Sequence, residues 1–250
     1  MEPSNQRERR IRLQGSYNFR DIGGYPTMDG HTVRWERVYR SDALFRLTEQ
    51  DLATLRPLKV ATLIDLRTPK EVETSAPSPL IVAQAVRHRH RPFFQDPVDP
   101  DNLNDLPDLP VLYAELIEKG PETIRGIFTD LTDEATYPAV IHCAVGKDRT
   151  GIVTALLLRT LGVDDDTIIA DYTLTEPYLL AFVDELRRTG NGHYVEGVRR
   201  ELMLAPAATM RGFLDLVDIR FGGAEQLLTD AGVPTGAKDQ LRHLLLEPAG

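Results

Sequence analysis

The chain has 250 residues and one cysteine, Cys143, so no disulfide can form within it. That scarcity suits a reducing compartment and leaves the thiol available for other chemistry. Long hydrophobic runs are missing too: nothing approaches the ~18 consecutive apolar residues that would predict a membrane-spanning helix. The opening stretch MEPSNQRERRIRLQG is polar and basic without an apolar segment, unlike a secretory signal, so the default expectation is a cytoplasmic protein. Positive charge is in short supply. A net charge of −9 argues against general binding to nucleic acid, because a polyanion would be repelled overall. There is no Gly/Ser-rich linker and no repeat at solenoid periods. The expectation is therefore a flexible basic segment over 1–15 and a single domain over 16–247.

What is present reads as alternating strands and helices. Residues 37–41, 59–65, 85–91 and 138–141 read as short strands, 59–65 as a compact apolar run with β-branched residues and, like 138–141, buried. Thr48 reads as the N-cap of a helix to Leu55, and Pro69 with Glu71 as the start of another. Residues 93–110 alternate Pro97, Pro100, Pro107 and Pro110 with aspartates, the pattern of an irregular acidic loop. Helical spacing follows over 111–119 and 121–131. A central buried helix beginning near Ile152 ends at Gly162. Beyond it, helices are expected over 167–172, 177–188, 195–204, 207–221, 224–231 and 238–246. Strands early and helices late, joined by crossovers, predict an α/β sandwich with a mostly parallel sheet and a helix-rich C-terminal half.

The segment between the 138–141 strand and the central helix is His142-Cys143-Ala144-Val145-Gly146-Lys147-Asp148-Arg149-Thr150-Gly151. A free cysteine is most often a small buried hydrophobe. Here its neighbours point elsewhere. Backbone amides of a loop above a helix N-terminus converge on an anion. Five residues after Cys143, Arg149 can return its planar fork to that anion, and Gly146 lets the backbone approach closely. The same dipoles and cations favour the thiolate, the nucleophilic form of cysteine. These features predict attack on phosphorus by Cys143, with a phosphocysteine intermediate. Thr150 is placed to hydrogen-bond the sulfur as leaving group, and His142 to orient the loop from beneath. The nearest false match is the Walker nucleotide loop. It requires a glycine at Ile141 and a hydroxyl residue at Asp148, and fails at both.

The loop is a Cys-x5-Arg-Thr signature. The wider HCxxGKDRTG resembles the bacterial cysteine-dependent protein tyrosine/serine phosphatase family, typified by a mycobacterial secreted phosphatase and a Listeria lipid phosphatase. Asn18-Phe19-Arg20-Asp21-Ile22-Gly23-Gly24 is similar to that family's NFRDxGG, and Tyr39-Arg40-Ser41-Asp42-Ala43-Leu44 to its (Y/F)RSDxL. Ile64-Asp65-Leu66-Arg67 with Glu71 is similar to its DLRxxxE, and Ala170-Asp171-Tyr172 to its ADY. Phe221-Gly222-Gly223 with Leu227 and Leu228 resembles its C-terminal segment. The resemblance implies a metal-independent, cofactor-free phosphate monoester hydrolase acting on phosphotyrosine proteins, with phosphoserine/threonine proteins or phosphoinositides as further substrates. It also implies a helical lid drawn from about 177–204, although amphipathic spacing there fits core packing equally well. Some related enzymes leave the cell without a leader, which adds leaderless export as a second expectation for location. A monomer is expected.

The resemblance and the residues together give Cys143 as nucleophile, Arg149 as phosphate clamp, and Ala144, Val145, Gly146, Lys147, Asp148, Arg149 and Thr150 as the substrate-binding loop. Two aspartates compete as general acid. Asp148 lies inside the loop; Asp96 follows Pro92-Phe93-Phe94, one residue out of register with the family's Pro-Phe-x-Asp. Lys147 is expected to add a donor at the rim. Arg20 and Arg67 are read as structural ion-pair partners and Asp65 as a buried scaffold acid. Alternative readings are a sulfurtransferase, which also keeps a cysteine in an anion-binding loop, a phospholigand-binding module without turnover, and a structural protein with a core cysteine.

Overall fold

This computed structural model describes residues 7–84, 86–94, 106–188, 190, 196 and 200–249. Its strands are Arg20–Asp21 (β1), His31–Val33 (β2), Val38–Ser41 (β3), Thr62–Asp65 (β4), Arg87–His90 (β5), Ala139–His142 (β6) and Leu246–Pro248 (β7). Five of them form one sheet in the order β1-β3-β6-β4-β5. Within it β3, β6, β4 and β5 run parallel, and β1 closes one edge antiparallel to β3. The second sheet is the antiparallel pair β2–β7. The expected mixed α/β architecture with a mostly parallel central sheet is the one observed.

Successive side chains on a strand point to opposite faces, and that alternation sorts residues into two cores. Tyr39, Leu63 and Val140 join Phe19, Leu52, Leu55 and Leu80 in the smaller core. Their neighbours Val38, Ile64, Ala139 and Ile141 enter the larger one. Glu49–Leu55 (α1) and Pro79–Gln84 (α3) cover the smaller core, with Pro69–Glu73 (α2) between them in sequence. The larger core is packed by helices Leu109–Lys119 (α4), Pro121–Leu131 (α5), Asp148–Leu161 (α6), Asp165–Thr173 (α7), Glu176–Arg188 (α8), Ala207–Phe221 (α9), Ala224–Asp230 (α10) and Ala237–Leu245 (α11). As its apolar run predicts, α6 is buried along nearly its whole length and stops at Gly162, whose φ of 92° suits the left-handed C-cap.

Differences from the sequence reading have local causes. The strand expected over 59–65 begins only at Thr62, because Lys59 takes a left-handed conformation that closes a 3-10 turn over Arg56–Leu58. Helix α4 starts two residues early, since Pro110 sits in the first turn, where its missing N–H costs nothing. Over 195–204 the expected helix is replaced, in the described residues, by a 3-10 turn at Arg200–Met203. Leu246 begins β7 instead of ending α11. The segment read as a flexible arm is, over 7–15, bonded to the domain. Arg9 donates to the carbonyls of Asp21 and Gly23 and lies over the Tyr25 ring, while the Gln14 and Gly15 amides donate to Asp51. Stacking on Tyr25 and Trp35 is what this basic sequence offers as an anchor. Most of the acidic loop, Asp96 included, lies outside the described residues.

Candidate active site

Strand register assembles the site. Ser41 on β3 and Asp65 on β4 both pair with His142, the last residue of β6, so three C-terminal strand ends lie side by side. Ligand sites of open α/β sheets lie beyond these ends. Cys143 follows His142 directly, and the loop returns to α6 at Asp148.

The loop turns its carbonyls down into the protein. The Ala144 carbonyl accepts from the Ala43 amide at 3.1 Å. Asn18 Nδ2 donates to Val145 O at 3.3 Å and to Gly146 O at 3.0 Å, and Arg40 Nη2 donates to Gly146 O at 2.9 Å. With these acceptors claimed from below, the Gly146 amide donates to Cys143 Sγ at 3.2 Å. No side chain caps α6, so its first-turn amides add further unclaimed donors. Gly146 has φ of 72°, and a Cβ there would lie 2.5 Å from Ser41 O, so only glycine fits this descent.

Beneath the loop sits a buried charge cluster. Asp171, on α7, accepts from Arg20 Nε at 3.1 Å, Arg40 Nη1 at 2.5 Å and the Tyr25 hydroxyl at 3.0 Å. Burial opposes the Asp171 charge, but Arg20 and Arg40 outweigh it and hold the carboxyl well below the usual carboxylate range. Two guanidiniums and one carboxylate leave one positive charge under the loop, where salt screens poorly. Arg20 also donates to Asn18 Oδ1, fixing the amide that carries the loop.

Arg149 is held from the other side. Its Nη1 and Nη2 reach Glu71 Oε2 and Oε1 at 2.6 and 2.9 Å, a bidentate pair, and Nη1 also faces Leu66 O at 3.4 Å. Glu71 is simultaneously the third residue of a capping box: the Thr68 amide donates to its carboxylate at 2.7 Å, and its own amide to Thr68 Oγ1 at 3.2 Å. Helix α2 therefore aims the carboxylate that aims the guanidinium. Next to it, Asp65 is fully buried and accepts from Arg67 Nη2 at 2.7 Å and contacts His88 Nε2 at 3.0 Å. Arg20 and Arg67 are thus ion-pair partners and Asp65 a scaffold acid, as their motif blocks suggested. Burial lowers the His142 pKa and keeps the ring neutral beneath the loop.

Two loop residues differ from expectation. Lys147 is not a donor at an open rim. It is 1% exposed, and its Nζ is committed to Leu202 O at 2.9 Å and to Asp148 Oδ1 at 3.2 Å. The 3-10 turn that carries Leu202 and helix α8 lie against the loop, and a cavity between them is lined by Val145, Lys147, Asp148, Phe182, Leu202 and Met203. Thr150 Oγ1 makes no bond to the sulfur and, though buried, has no hydrogen-bond partner among the described residues. Asp148, the first residue of α6, keeps 40% of its side chain exposed. Its Oδ1 accepts from the Tyr113 hydroxyl at 2.5 Å. The structure thus brings Cys143, Asp148, Arg149 and the loop amides together, and adds Asn18, Arg40, Glu71, Tyr113 and Asp171, to which the sequence reading gave no role. Their signal was membership of the motif blocks, Tyr113 excepted. No helix among the described residues is long and apolar enough to cross a membrane.

Known proteins resemble this chain over most of its length. The chain is 28% identical over 286 residues to the triple specificity protein phosphatase PtpB of Mycobacterium tuberculosis, covering 94% of this chain and 98% of that protein. It is 28% identical to a tyrosine-protein phosphatase of Nostoc commune, covering 87% of this chain and 76% of the relative. The model of the tyrosine phosphatase family matches residues 11–247, nearly the whole length. The chain belongs to the tyrosine phosphatase family, the enzymes that hydrolyse phosphate monoesters through a cysteine.

Proposed function

We propose that Cys143 is the nucleophile of this phosphatase, Arg149 its phosphate clamp and Asp148 its general acid. The Cys143 thiolate attacks phosphorus in line, forming an S–P bond as the ester P–O bond breaks. Asp148 gives its proton to the departing oxygen. The loop amides and Arg149 hold the three equatorial oxygens as charge redistributes. In the second step water attacks phosphorus, Asp148 takes up its proton, and the S–P bond breaks to return the thiolate. Thr150 suits this step, since a buried hydroxyl without a partner gains one by donating to the leaving sulfur. The observation that carries the reading is the inward commitment of the Ala144, Val145 and Gly146 carbonyls, which supports an anion cradle around Sγ.

The substrate class is phosphotyrosine proteins, extended to phosphoserine/threonine proteins and phosphoinositides. Support for the extension comes from the relative named for triple specificity and from the cavity beside Val145 and Asp148. We further assign a single domain over 16–247, a monomer, a lid formed by α8 and the turn at Arg200–Met203, and residence in the cytoplasm, with leaderless export as the alternative. The test is hydrolysis of para-nitrophenyl phosphate in the presence of chelator, with and without vanadate, followed by a panel of phosphotyrosine peptide, phosphoserine peptide and phosphoinositides. Vanadate-sensitive turnover in chelator is expected; transfer of sulfur from thiosulfate without phosphate release would replace the reading with a sulfurtransferase.

Glu71 gives a graded check on the clamp. Burial works against its carboxylate, yet Arg149 holds its pKa below the ordinary glutamate value, so the pair is ionised at neutral pH. Glu71→Gln keeps the shape but loses the charge and one acceptor. We expect a fall of about 10–100-fold in kcat/KM from the misdirected guanidinium. Unchanged kcat/KM would show that Arg149 needs no such guide.

A further inference from the structure

We infer that Tyr113 is a positioning residue for Asp148, holding Oδ1 through its hydroxyl so that the proton delivered to the leaving group is carried on Oδ2; the inference rests on the reading of Asp148 as the acid. A carboxylate only accepts, so the 2.5 Å contact makes Tyr113 the donor to Oδ1. The Tyr113 oxygen lies 2.9 Å from the Tyr172 hydroxyl, whose proton must then point at Tyr113. The result is a one-way chain, Tyr172 to Tyr113 to Asp148. Lys147 Nζ adds a second donor 3.2 Å from the same oxygen. Oδ2 has no hydrogen-bond partner among the described residues. A carboxyl protonates on the oxygen that faces no donor protons, which is Oδ2.

Both phenols are built in rigidly. Tyr113 is fully buried on α4 and meets the Phe213 ring edge-on at 5.7 Å. Tyr172 packs flush on Gly151, where a Cβ would come within 3.1 Å of its ring carbons. Asp148 is different. Half-exposed on the first turn of α6, it relies on the Tyr113 hydroxyl and the Lys147 ammonium to select one rotamer. The charged and titratable groups around the chain are Lys147 and Arg149 beside Asp148, and Arg40 and Glu176 within reach of Tyr172. Burial first, and then the Asp148 charge, push the Tyr113 phenol far above its ordinary value, so it stays a donor across the working pH range.

The experiment compares kcat for phenyl phosphate, a poor leaving group, with kcat for 2,4-dinitrophenyl phosphate, a good one, in Tyr113→Phe, Asp148→Asn and the double variant. Tyr113→Phe is expected to lose roughly 10-fold in kcat on phenyl phosphate, a fraction of a full acid contribution, and less than ~2-fold on the dinitrophenyl ester. KM should hold, so that the loss falls on kcat alone. In the Asp148→Asn background the substitution should add nothing further. Equal losses on both esters, or the same loss in both backgrounds, overturn the inference and leave Tyr113 a packing residue. If Asp148→Asn spares phenyl phosphate, the acid assignment itself falls, and the inference with it; that arm is read separately. Should Tyr113→Phe fail to fold, Tyr172→Phe takes its place, with a loss of ~3-fold selective for phenyl phosphate expected. A loss without that selectivity is equally fatal.

Discussion

Cys143→Ser is expected to lower turnover of para-nitrophenyl phosphate by roughly 10⁴-fold or more while leaving phosphate binding intact. The two halves of this result have separate physical origins. A serine hydroxyl is a far weaker nucleophile than a thiolate, and its neighbour His142 is not poised to deprotonate it, being buried, neutral and turned toward the Cys143 carbonyl at 3.4 Å. Binding depends instead on groups the substitution does not touch. The loop is shaped by Asn18, Arg40 and the Ala43 amide acting on its carbonyls, and Arg149 is aimed by Glu71. Titration calorimetry with inorganic phosphate, run beside a turnover assay, separates the two halves. Turnover equal to that of the parent enzyme would dismantle the covalent mechanism.

Asp171→Asn should cost about 3–5 kcal/mol of stability, the scale for breaking a buried ion pair by removing one partner. Asp171 is 1% exposed and offsets two guanidiniums that are themselves 1% exposed, so the amide would leave both charges uncompensated in the interior. Against a total of roughly 5–15 kcal/mol for a domain, that is a large fraction. Urea denaturation at neutral pH measures it. The pH dependence adds a second signature. Because the folded carboxyl titrates below its unfolded value of ~3.9, its contribution is complete above that pH and is lost as pH falls toward the folded value. Asp21 and Asp42, raised by burial, act in the opposite sense and favour the fold at low pH. The difference between parent and variant isolates Asp171: it should be large at pH 6 and shrink in acid. A difference that stays constant down to pH 2 would mean the cluster contributes through packing alone.

The placement of the loop was legible because it is local. Cys143, Gly146, Asp148 and Arg149 are near neighbours in sequence, and a strand running into a helix fixes how they meet. Helix ends were legible where the chain is punctuated, as at Thr48, Gly162 and Gly222. What supports the loop was visible only as resemblance. Asn18 and Gly146 are 128 residues apart, Arg20 and Asp171 151, and Glu71 and Arg149 78, and no periodicity pairs such positions. Lys147 illustrates the limit. Its charge suggested solvent, but a backbone carbonyl 55 residues away at Leu202 takes its ammonium. The strands β1, β2 and β7, two or three residues each, are too short for alternation to register.

The dispersal of those supports has a consequence for biosynthesis. Segments around residues 18, 40, 71 and 171 must all be in place before the residue 143–149 turn has its working shape, and contacts of such separation close late. A ribosome-bound chain that has just released residues 143–149 therefore carries them on an unshaped turn. The turn takes its shape only when synthesis has passed residue 171 and these partners have closed around it.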